Sequence, residues 1–532
     1  MFFVGVNEGN IPKSTQTGGI LSELDRDFFQ EQGVELAPGP KELMNMQRFY
    51  LYLNMTKPGE KLILSYSDTN AKGEGISPAY LIGSIRSLYP KLEIENSYCY
   101  PENPEAGIDL FLEKLVQETE KEHEDILEQA DETDAMFGEL YSWYLRNPEY
   151  RSRVQKLVQS AFAGKPEDII SQSVAKALYG EVSPYSATRL ERFAACAFAH
   201  FLQYGMKLTE RVEYEFKPMD MGNVMHEALE SFAEEVRKRG MKWTELTEQE
   251  RNEIADRCLD NIVADYGNTV LKSSARNEYM IERTRRILRR TVWALQKQLE
   301  QGEFQPEGFE VTFGGGRIDR VDIMEDQNKV YVKVIDYKTG NTSFDLVYLY
   351  HGLQLQLMIY LDGALRVEQK KYPDKEIIPA GVFYYNIKDP MIQEKIDADV
   401  EAVSAGLMKE LKMNGLVQAD PELVYRMDSS LGSIPVAFNK DGSFRKNSSV
   451  ADRTQFAVLG RYVRTKIEKI RSSILEGDAE VSPYELGKKN ACTYCPYMTV
   501  CGFDRRLSGY EFRRLKNFSD EELWKAFDRE AE

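Results

Sequence analysis

The sequence predicts an α/β protein of more than one domain, on three grounds. At 532 residues the chain is too long for one ordinary core and long enough for two to four domains of about 100–200 residues each. Hydrophobic residues at 42% and charged residues at 29% sit near the soluble globular average, which excludes collagen-like, mucin-like and wholly disordered classes. Finally, β-rich runs alternate with helical periodicity: GGGRIDRVDI (314–323) and KVYVKVIDYKTG (329–340) precede helical sequence from Leu346 to Arg366 and the strand GVFYYNI (381–387). No stretch approaches the roughly 18 uninterrupted apolar residues of a membrane span, and MFFVGVNEGNIP lacks a basic n-region and a long apolar h-region. The expectation is a soluble, cytoplasmic protein with no membrane partner.

Taken in order, FFVGVNEGNIP is a short apolar run ended by Gly, Asn and Pro, which predicts a buried strand running into a loop. A core strand directly after Met1 is an abrupt start, so the expectation is a fragment whose partner strands lie upstream. Residues 47–67 read as a helix end, a turn at Lys57–Pro58–Gly59 and a strand from Lys61 to Tyr66, completing an α/β segment over 1–104. Helical periodicity over 105–160 predicts a helical connecting region, 105–182, whose acidic stretch 118–134 needs only water as a partner. Pro166 and SPYSATRLERF (183–193) mark a boundary, and Ser186 suits the N-cap of a helix running through Cys196 to Tyr204. A domain over 183–505 follows, with helices through 221–299, strands from Phe309 to Tyr337, and mixed structure up to a cysteine cluster. Residues 506–532 read as a helical tail.

Sixty-eight basic against 86 acidic residues give a net charge of −18, which repels a polyanion if spread evenly, so any nucleic-acid site must be local. One local basic stretch is ERTRRILRRTVWALQKQ (282–298). Its arginines could track phosphates or pair with acidic helices of the same chain, and the sequence leaves both open.

The chemistry concentrates in the two β-rich runs. The polar residues Glu325–Asp326–Gln327–Asn328 between them signal a hairpin. Strand alternation puts Asp336 and Lys338 on the face continued inward by Val330, Val332 and Val334, so a carboxylate and an ammonium emerge where the apolar face ends. Asp319, on the partner strand, comes within reach of Asp336. Converging carboxylates are hard oxygen donors suited to Mg²⁺ or Mn²⁺, and a neighbouring lysine can orient a water and offset charge on a phosphate. An Asp-x-Lys pair by itself is a weak signal, because strand-end ion pairs of this kind are common and usually structural.

The order Gly-Arg-Ile-Asp, turn, Ile-Asp-Tyr-Lys-Thr-Gly, then Gln356 and Tyr360 four apart in LQLQLMIY, resembles the PD-(D/E)XK core of RecB-like nucleases. His226 in MGNVMHEALE matches the upstream helical histidine of the same pattern. The resemblance implies a central mixed sheet flanked by helices and a phosphodiester-hydrolysing site. In that site Asp319 and Asp336 are metal ligands, His226 adds a nitrogen, and the Tyr337 carbonyl contributes through the backbone. Lys338 is the catalytic lysine, and Gln356 and Tyr360 complete the site. His123, His200 and His351 match no motif and read as structural.

Six cysteines in 532 residues are too few for an oxidised scaffold, and three of them cluster as Cys492-x₂-Cys495-x₅-Cys501. Three thiolates need a fourth ligand for either zinc or a cubane cluster. SATRLERFAACAFAHFLQYGMKL, around Cys196, resembles the first-cysteine segment of the iron–sulfur nuclease domains of the AddB family. That resemblance implies a [4Fe–4S] cluster held by Cys196, Cys492, Cys495 and Cys501, a structural staple closing the nuclease domain. Cys99 and Cys258 read as ordinary thiols.

FFVGVNEGNIP and RFYLYLNMTKPGEKLILSYS resemble the last part of a UvrD-like superfamily 1 motor. Thr56-Lys57-Pro58 stands where an active motor has Thr-Arg-Ala, and no G-x₄-G-K-[ST] phosphate loop occurs, so the chain alone is not expected to hydrolyse ATP. Together the pieces resemble the carboxy-terminal part of the AddB family. The resemblance implies a metal-dependent DNA exonuclease that processes double-strand ends for recombinational repair, with an AddA-like subunit as heterodimeric partner and one unwound strand as substrate. The competing expectations are a non-enzymatic DNA-binding scaffold and an iron–sulfur redox protein; no dinucleotide fingerprint supports the latter.

Overall fold

A computed structural model of the chain describes residues 1–13, 23–34, 36–70, 75–94, 103–120, 132–161, 169–180, 186–211, 218–265, 274–314, 316–392, 400–505 and 509–531. The described chain divides into two compact units, Met1–Leu110 and Phe111–Glu532.

In the first unit, β1 (Phe2–Phe3) pairs in parallel with β2 (Ile63–Leu64), accompanied by α1 (Glu23–Glu31), α2 (Pro40–Thr56) and α3 (Tyr80–Leu88). The expected buried opening strand is not buried: Phe2 is 74% and Val4 70% exposed. Among the described residues the strand has one neighbour and two residue pairs, so it presents its side chains to solvent, and burial begins only at Val6 and Asn7. Asn7 is the anchor. Its amide donates to the Ser67 (2.7 Å) and Ser77 (3.2 Å) carbonyls and accepts from the Ser67 N–H (3.1 Å), which satisfies a buried polar side chain.

The helix α4 (Pro104–Glu120) spans the point of division and is followed by α5 (Glu132–Arg146) and α6 (Pro148–Ala161). Most of the acidic stretch 118–134 lies outside the described residues. Phe111 stacks on Phe137 at 4.9 Å, and α7 (Gln172–Tyr179) is capped by the Ser171 hydroxyl. The Ser186 side chain accepts the Arg189 N–H (3.3 Å), as an N-cap should, and α8 runs over Ala187–Ala195. The helix does not continue through Cys196 as expected. Cys196 is extended (φ −165°, ψ 119°), because the next turn, α9 (Ala197–His200), gives the Phe198 N–H to the distant Glu480 carbonyl at 2.9 Å. A π-helical turn, Phe201–Gly205, follows.

Three long helices, α10 (Pro218–Lys238), α11 (Glu248–Asp265) and α12 (Ala275–Glu300), then lead into a six-stranded sheet. Its strands are β3 (Gln305–Phe313), β4 (Gly316–Asp326), β5 (Lys329–Lys338), β6 (Glu376–Asn386), β7 (Asn414–Gln418) and β8 (Val450–Ala451), neighbouring one another in chain order. The β3–β4, β4–β5 and β6–β7 pairs are antiparallel, whereas β5–β6 and β7–β8 are parallel, so the sheet is mixed. Every β5 residue from Val330 to Tyr337 is buried, which marks a central strand covered on both faces. Val330, Val332 and Val334 share a core with α8 and the helices described below, while Tyr331, Ile335 and Tyr337 pack with α10–α12. Pro379 sits inside β6 without an N–H to give. The β5–β6 register slips at that point, from Val332↔Pro379 to Lys333↔Gly381.

The single helix expected over 346–366 is two, α13 (Leu346–Tyr350) and α14 (Gln356–Lys371). Gly352 breaks it: its φ is +79°, and a Cβ there would lie 3.2 Å from the Ala194 Cβ. Beyond the sheet come α15 (Val400–Glu410), α16 (Pro421–Met427), α17 (Arg453–Glu476), a small sheet of β9 (Tyr484–Leu486), β10 (Lys489–Asn490) and β11 (Arg513–Arg514), the short α18 (Met498–Cys501), and α19 (Asp520–Ala531). The last helix buries Leu523 and Phe527 in the core shared by α8, α14 and α17. Among the described residues no helix is long and apolar enough to cross a membrane.

Candidate active site

The β4–β5 ladder opens where the chemistry begins. Pairing runs regularly to Arg320↔Ile335, and one residue further the Asp319 carboxylate accepts the Tyr337 N–H at 2.7 Å in place of a backbone partner. Asp336 and Lys338 lie at the same end of β5, with the Lys338 Nζ 2.6 Å from an Asp336 oxygen. The α14 helix closes the group: Gln356 Oε1 accepts from Lys338 (2.8 Å), and its amide nitrogen donates to Asp336 (2.8 Å) and to the Tyr360 hydroxyl (2.9 Å). With both ends of that amide engaged, the ammonium and the carboxylate are held together by one side chain one turn from Tyr360.

From the opposite face, α10 brings His226 to the site. Gly222, one turn earlier, permits this approach, since a Cβ there would meet the Thr339 hydroxyl at 3.3 Å. The His226 Nδ1 is 3.4 Å from Asp319 and 3.9 Å from Glu310. His226, Glu310 and Asp319 each offer a ligand atom, and these atoms lie within 4.8 Å of one another. Tyr337 gives its N–H to Asp319 while its ring is buried toward α10 and α12.

Burial and the Asp336 charge push the Asp319 carboxyl up to about 7, against the opposing pull of His226 and the Tyr337 N–H. Burial likewise raises Asp336, although Lys338 offsets part of the effect. For His226 burial opposes the charge, but Glu310, Asp319 and Asp336 outweigh it and raise the imidazole. Asp336 has Lys338 as its counter-charge, whereas Asp319 and His226 hold protons that a divalent cation would displace. Oxygen donors with one nitrogen fit Mg²⁺ or Mn²⁺.

Two acidic residues of this neighbourhood carry no motif that marks them in the sequence. Glu310 has a left-handed backbone (φ 49°) and faces Asp319, since β3 pairs with β4 through Phe309↔Arg320 and Val311↔Ile318. The one available signal is the run of three glycines, 314–316, in the sequence, because pairing of Phe313 with Gly316 counts back to Glu310 opposite Asp319. Glu191, on α8, accepts the N–H groups of Leu355 (2.7 Å) and Gln356 (2.9 Å) with one oxygen. Burial pushes its carboxyl up to about 7 despite those bonds. No local pattern announces it, because its partner Gln356 lies 165 residues away.

The cysteine site is built from the break after α8 and the loop after β10. Cys196 and Cys495 pack in one cluster with Tyr497, and burial, then the charges of Cys196, Cys495 and Cys501, push Cys492 up to about 12. Asn490 shapes the loop by accepting the Cys492 and Thr493 N–H groups at 2.9 and 3.0 Å. Tyr497 ties it down by donating to the Leu208 carbonyl (3.0 Å). Crowded thiols that must shed protons to coexist as thiolates fit a cationic centre, either zinc or iron–sulfur. Among the described residues no disulfide forms; Cys258 is buried in the α10–α12 core, and Cys99 lies outside the described residues.

The remaining histidines differ from His226. Burial and the Arg189 charge hold His200 down to about 3, and Arg189 donates to its Nε2 at 3.1 Å. His351 pairs with the Lys516 carbonyl (2.9 Å), and His123 lies outside the described residues. On α12, Arg285 pairs with Asp256, Asp260 and Glu282, Arg289 with Asp256, and Arg286 with Asp389. Arg285, Arg286 and Arg289 thus pair within the chain, as one of the two expectations for this stretch has it.

A mixed sheet between helices, with an Asp-x-Lys strand end facing a Gln-x₃-Tyr helix and a helical histidine, defines a nuclease class. The family model described as PD-(D/E)XK nuclease superfamily matches residues 184–502, and the chain belongs to that superfamily. The whole chain is also similar to AddB proteins, named as a subunit of an ATP-dependent helicase/deoxyribonuclease. It is 40% identical to that of Lachnoclostridium phytofermentans and covers 47% of it; for Clostridium acetobutylicum the values are 32% and 48%, and for Alkaliphilus metalliredigens 31% and 48%. The chain thus spans about half the length of these relatives.

Proposed function

We propose that this chain is the nuclease-bearing part of a helicase–nuclease assembly and hydrolyses phosphodiester bonds of one unwound DNA strand as an exonuclease, with Mg²⁺ or Mn²⁺ held by His226, Asp319, Asp336 and the Tyr337 carbonyl. The observation that carries this reading is the grip of Gln356 on both Asp336 and Lys338 beside the Asp319–His226 pair. When bound, the cation lowers the pKa of a coordinated water and offsets charge on the scissile phosphate. Lys338 orients the attacking water and adds positive charge beside the phosphate. Gln356 keeps the lysine against Asp336, and Tyr360 fixes the Gln356 amide.

In the same reading Cys196, Cys492, Cys495 and Cys501 hold a [4Fe–4S] cluster that joins segments about 300 residues apart, closing a long loop that is entropically costly to order otherwise. Residues 1–104 are a degenerate helicase-like remnant, and an AddA-like subunit in the same cytoplasmic complex supplies translocation. The name of the relatives, a subunit of an ATP-dependent helicase/deoxyribonuclease, supports a partner subunit and a DNA substrate; in this reading the work of the assembly is the processing of double-strand ends for recombinational repair.

Asp336→Ala tests the reading. Loss of a metal ligand should cut cleavage of end-labelled DNA by about 10²–10⁴ while DNA binding persists. A loss of only about tenfold is too small for a ligand of the reacting centre and sinks the assignment.

A further inference from the structure

The helix that ends at the first cysteine also holds the active-site helix by its end. The first turn of an α-helix leaves N–H groups without intrahelical partners. At α14 the cap position, Leu355, supplies no side-chain cap; one oxygen of Glu191 from α8 accepts both the Leu355 and Gln356 N–H groups. A carboxylate at a helix N-terminus is also favoured by the helix dipole. The residue so held is Gln356, whose side chain grips Asp336, Lys338 and Tyr360.

The other end of α8 is fixed to the cysteine site. Arg192, next to Glu191, donates to Gln203 (2.8 Å) and lies over the Tyr497 ring at 5.7 Å, within the Cys492–Cys501 loop. The Cys196 N–H closes on the Arg192 carbonyl (3.1 Å), and Arg513 donates to the Ala194 carbonyl. Neighbouring residues of one short helix therefore face two sites: Arg192 the cysteine loop, Glu191 the active-site helix.

We propose that Glu191 is a positioning residue that couples the cysteine site to the nuclease site, so that order around Cys196 is transmitted through α8 to the first turn of α14 and so to Gln356 and Lys338. The catalytic half of this proposal rests on the nuclease reading above; the structural half, coupling of α8 to the α14 amides, does not. The hydrogen bonds of Glu191 go to the Leu355 and Gln356 amides, while Asp336 and Lys338 feel its charge only through space. Its effect is on where Gln356 stands.

Glu191→Ala and Glu191→Gln separate positioning from folding, because glutamine keeps an acceptor oxygen. In the full chain, Glu191→Ala is expected to lower kcat by about ten- to a hundredfold with KM for DNA changed by less than about twofold, and Glu191→Gln to restore most of the rate. Hydrogen exchange at the Leu355 and Gln356 amides gives a readout independent of activity: it should quicken in Glu191→Ala and stay protected in Glu191→Gln. Coupling is tested by a double-mutant cycle with Cys196→Ser, and with Cys501→Ser at the half-buried end of the loop in case the first variant fails to fold. Either cysteine substitution should quicken exchange at those two amides in the parent and add nothing in the Glu191→Ala background. Unchanged exchange at Leu355 and Gln356 after the cysteine substitutions, or additive effects, overturns the coupling. Lys338→Ala run alongside keeps the two readings apart: retained cleavage in that variant defeats the nuclease reading, while the exchange results still decide the coupling.

Discussion

Asp319 and His226 must each be free of a proton before they can share a cation, and both are shifted so that they hold one longer than usual. The sign follows. A carboxyl raised to about 7 binds more protons folded than unfolded between its ordinary value and 7, so the contribution of Asp319 to metal-free stability is full at acidic pH and is lost as pH climbs through that window. Metal binding competes with the same protons, so added Mg²⁺ should raise the melting temperature more at about pH 8 than at about pH 5.5, and Asp319→Asn should erase most of that difference. Equal gains at both pH values would contradict a cation at Asp319. Asp336, Lys338, Gln356 and Tyr360 are legible in the sequence because their relations are local: two residues along a strand, four along a helix. Glu310 needs the β3–β4 register as well. Glu191 is not legible at all, since it serves through an oxygen aimed at backbone amides far along the chain, and an amide leaves no mark in the residue types around it.

At the scale of elements, sequence periodicity finds the β4–β5 hairpin, the valine face of β5 and the helix after it, because burial on two faces leaves a pattern of its own. It misses the breaks at Cys196 and Gly352. Each break is imposed by a partner from elsewhere: the Glu480 carbonyl in one case, the close approach of Ala194 and Lys466 in the other. Gly352→Ala should therefore destabilise by roughly 1–3 kcal/mol, measured by denaturant unfolding, since it strains both a positive φ and a tight contact. A change within about 0.5 kcal/mol would show that the break tolerates a side chain. For the cysteine loop, anaerobically purified protein should be brown with about four irons and four sulfides per chain. Serine at Cys196, Cys492, Cys495 or Cys501 should bleach it and loosen the whole domain, whereas Cys258→Ser should leave the colour unchanged. Stoichiometric zinc without iron would refute the cluster.

Across the whole molecule, a chain with net charge −18 that pairs Arg285, Arg286 and Arg289 of α12 internally has little general attraction for DNA, so on the proposed function the affinity must come from the site and from whatever binds beside it. ATP turnover is expected to be absent from this chain alone, because hydrolysis needs a phosphate cradle with its lysine and hydroxyl and an arginine for developing charge, and Lys57–Pro58 offers neither the fork nor the backbone. DNA-stimulated ATP hydrolysis by the pure chain, surviving removal of contaminating helicases, would overturn that expectation. In a complex with a motor subunit, cleavage of long duplex DNA should follow the motor's ATP turnover; a rate indifferent to ATP would argue against a fed strand. On the proposed function, the strand end bearing Asp336 and Lys338 hydrolyses phosphodiester bonds with a divalent cation. Its most direct test is cleavage of end-labelled single-stranded DNA by the chain and by Lys338→Ala, each with Mg²⁺ and with chelator. Cleavage only by the parent and only with Mg²⁺ is the predicted result, and equal cleavage by the two proteins, or cleavage that survives chelation, would contradict it.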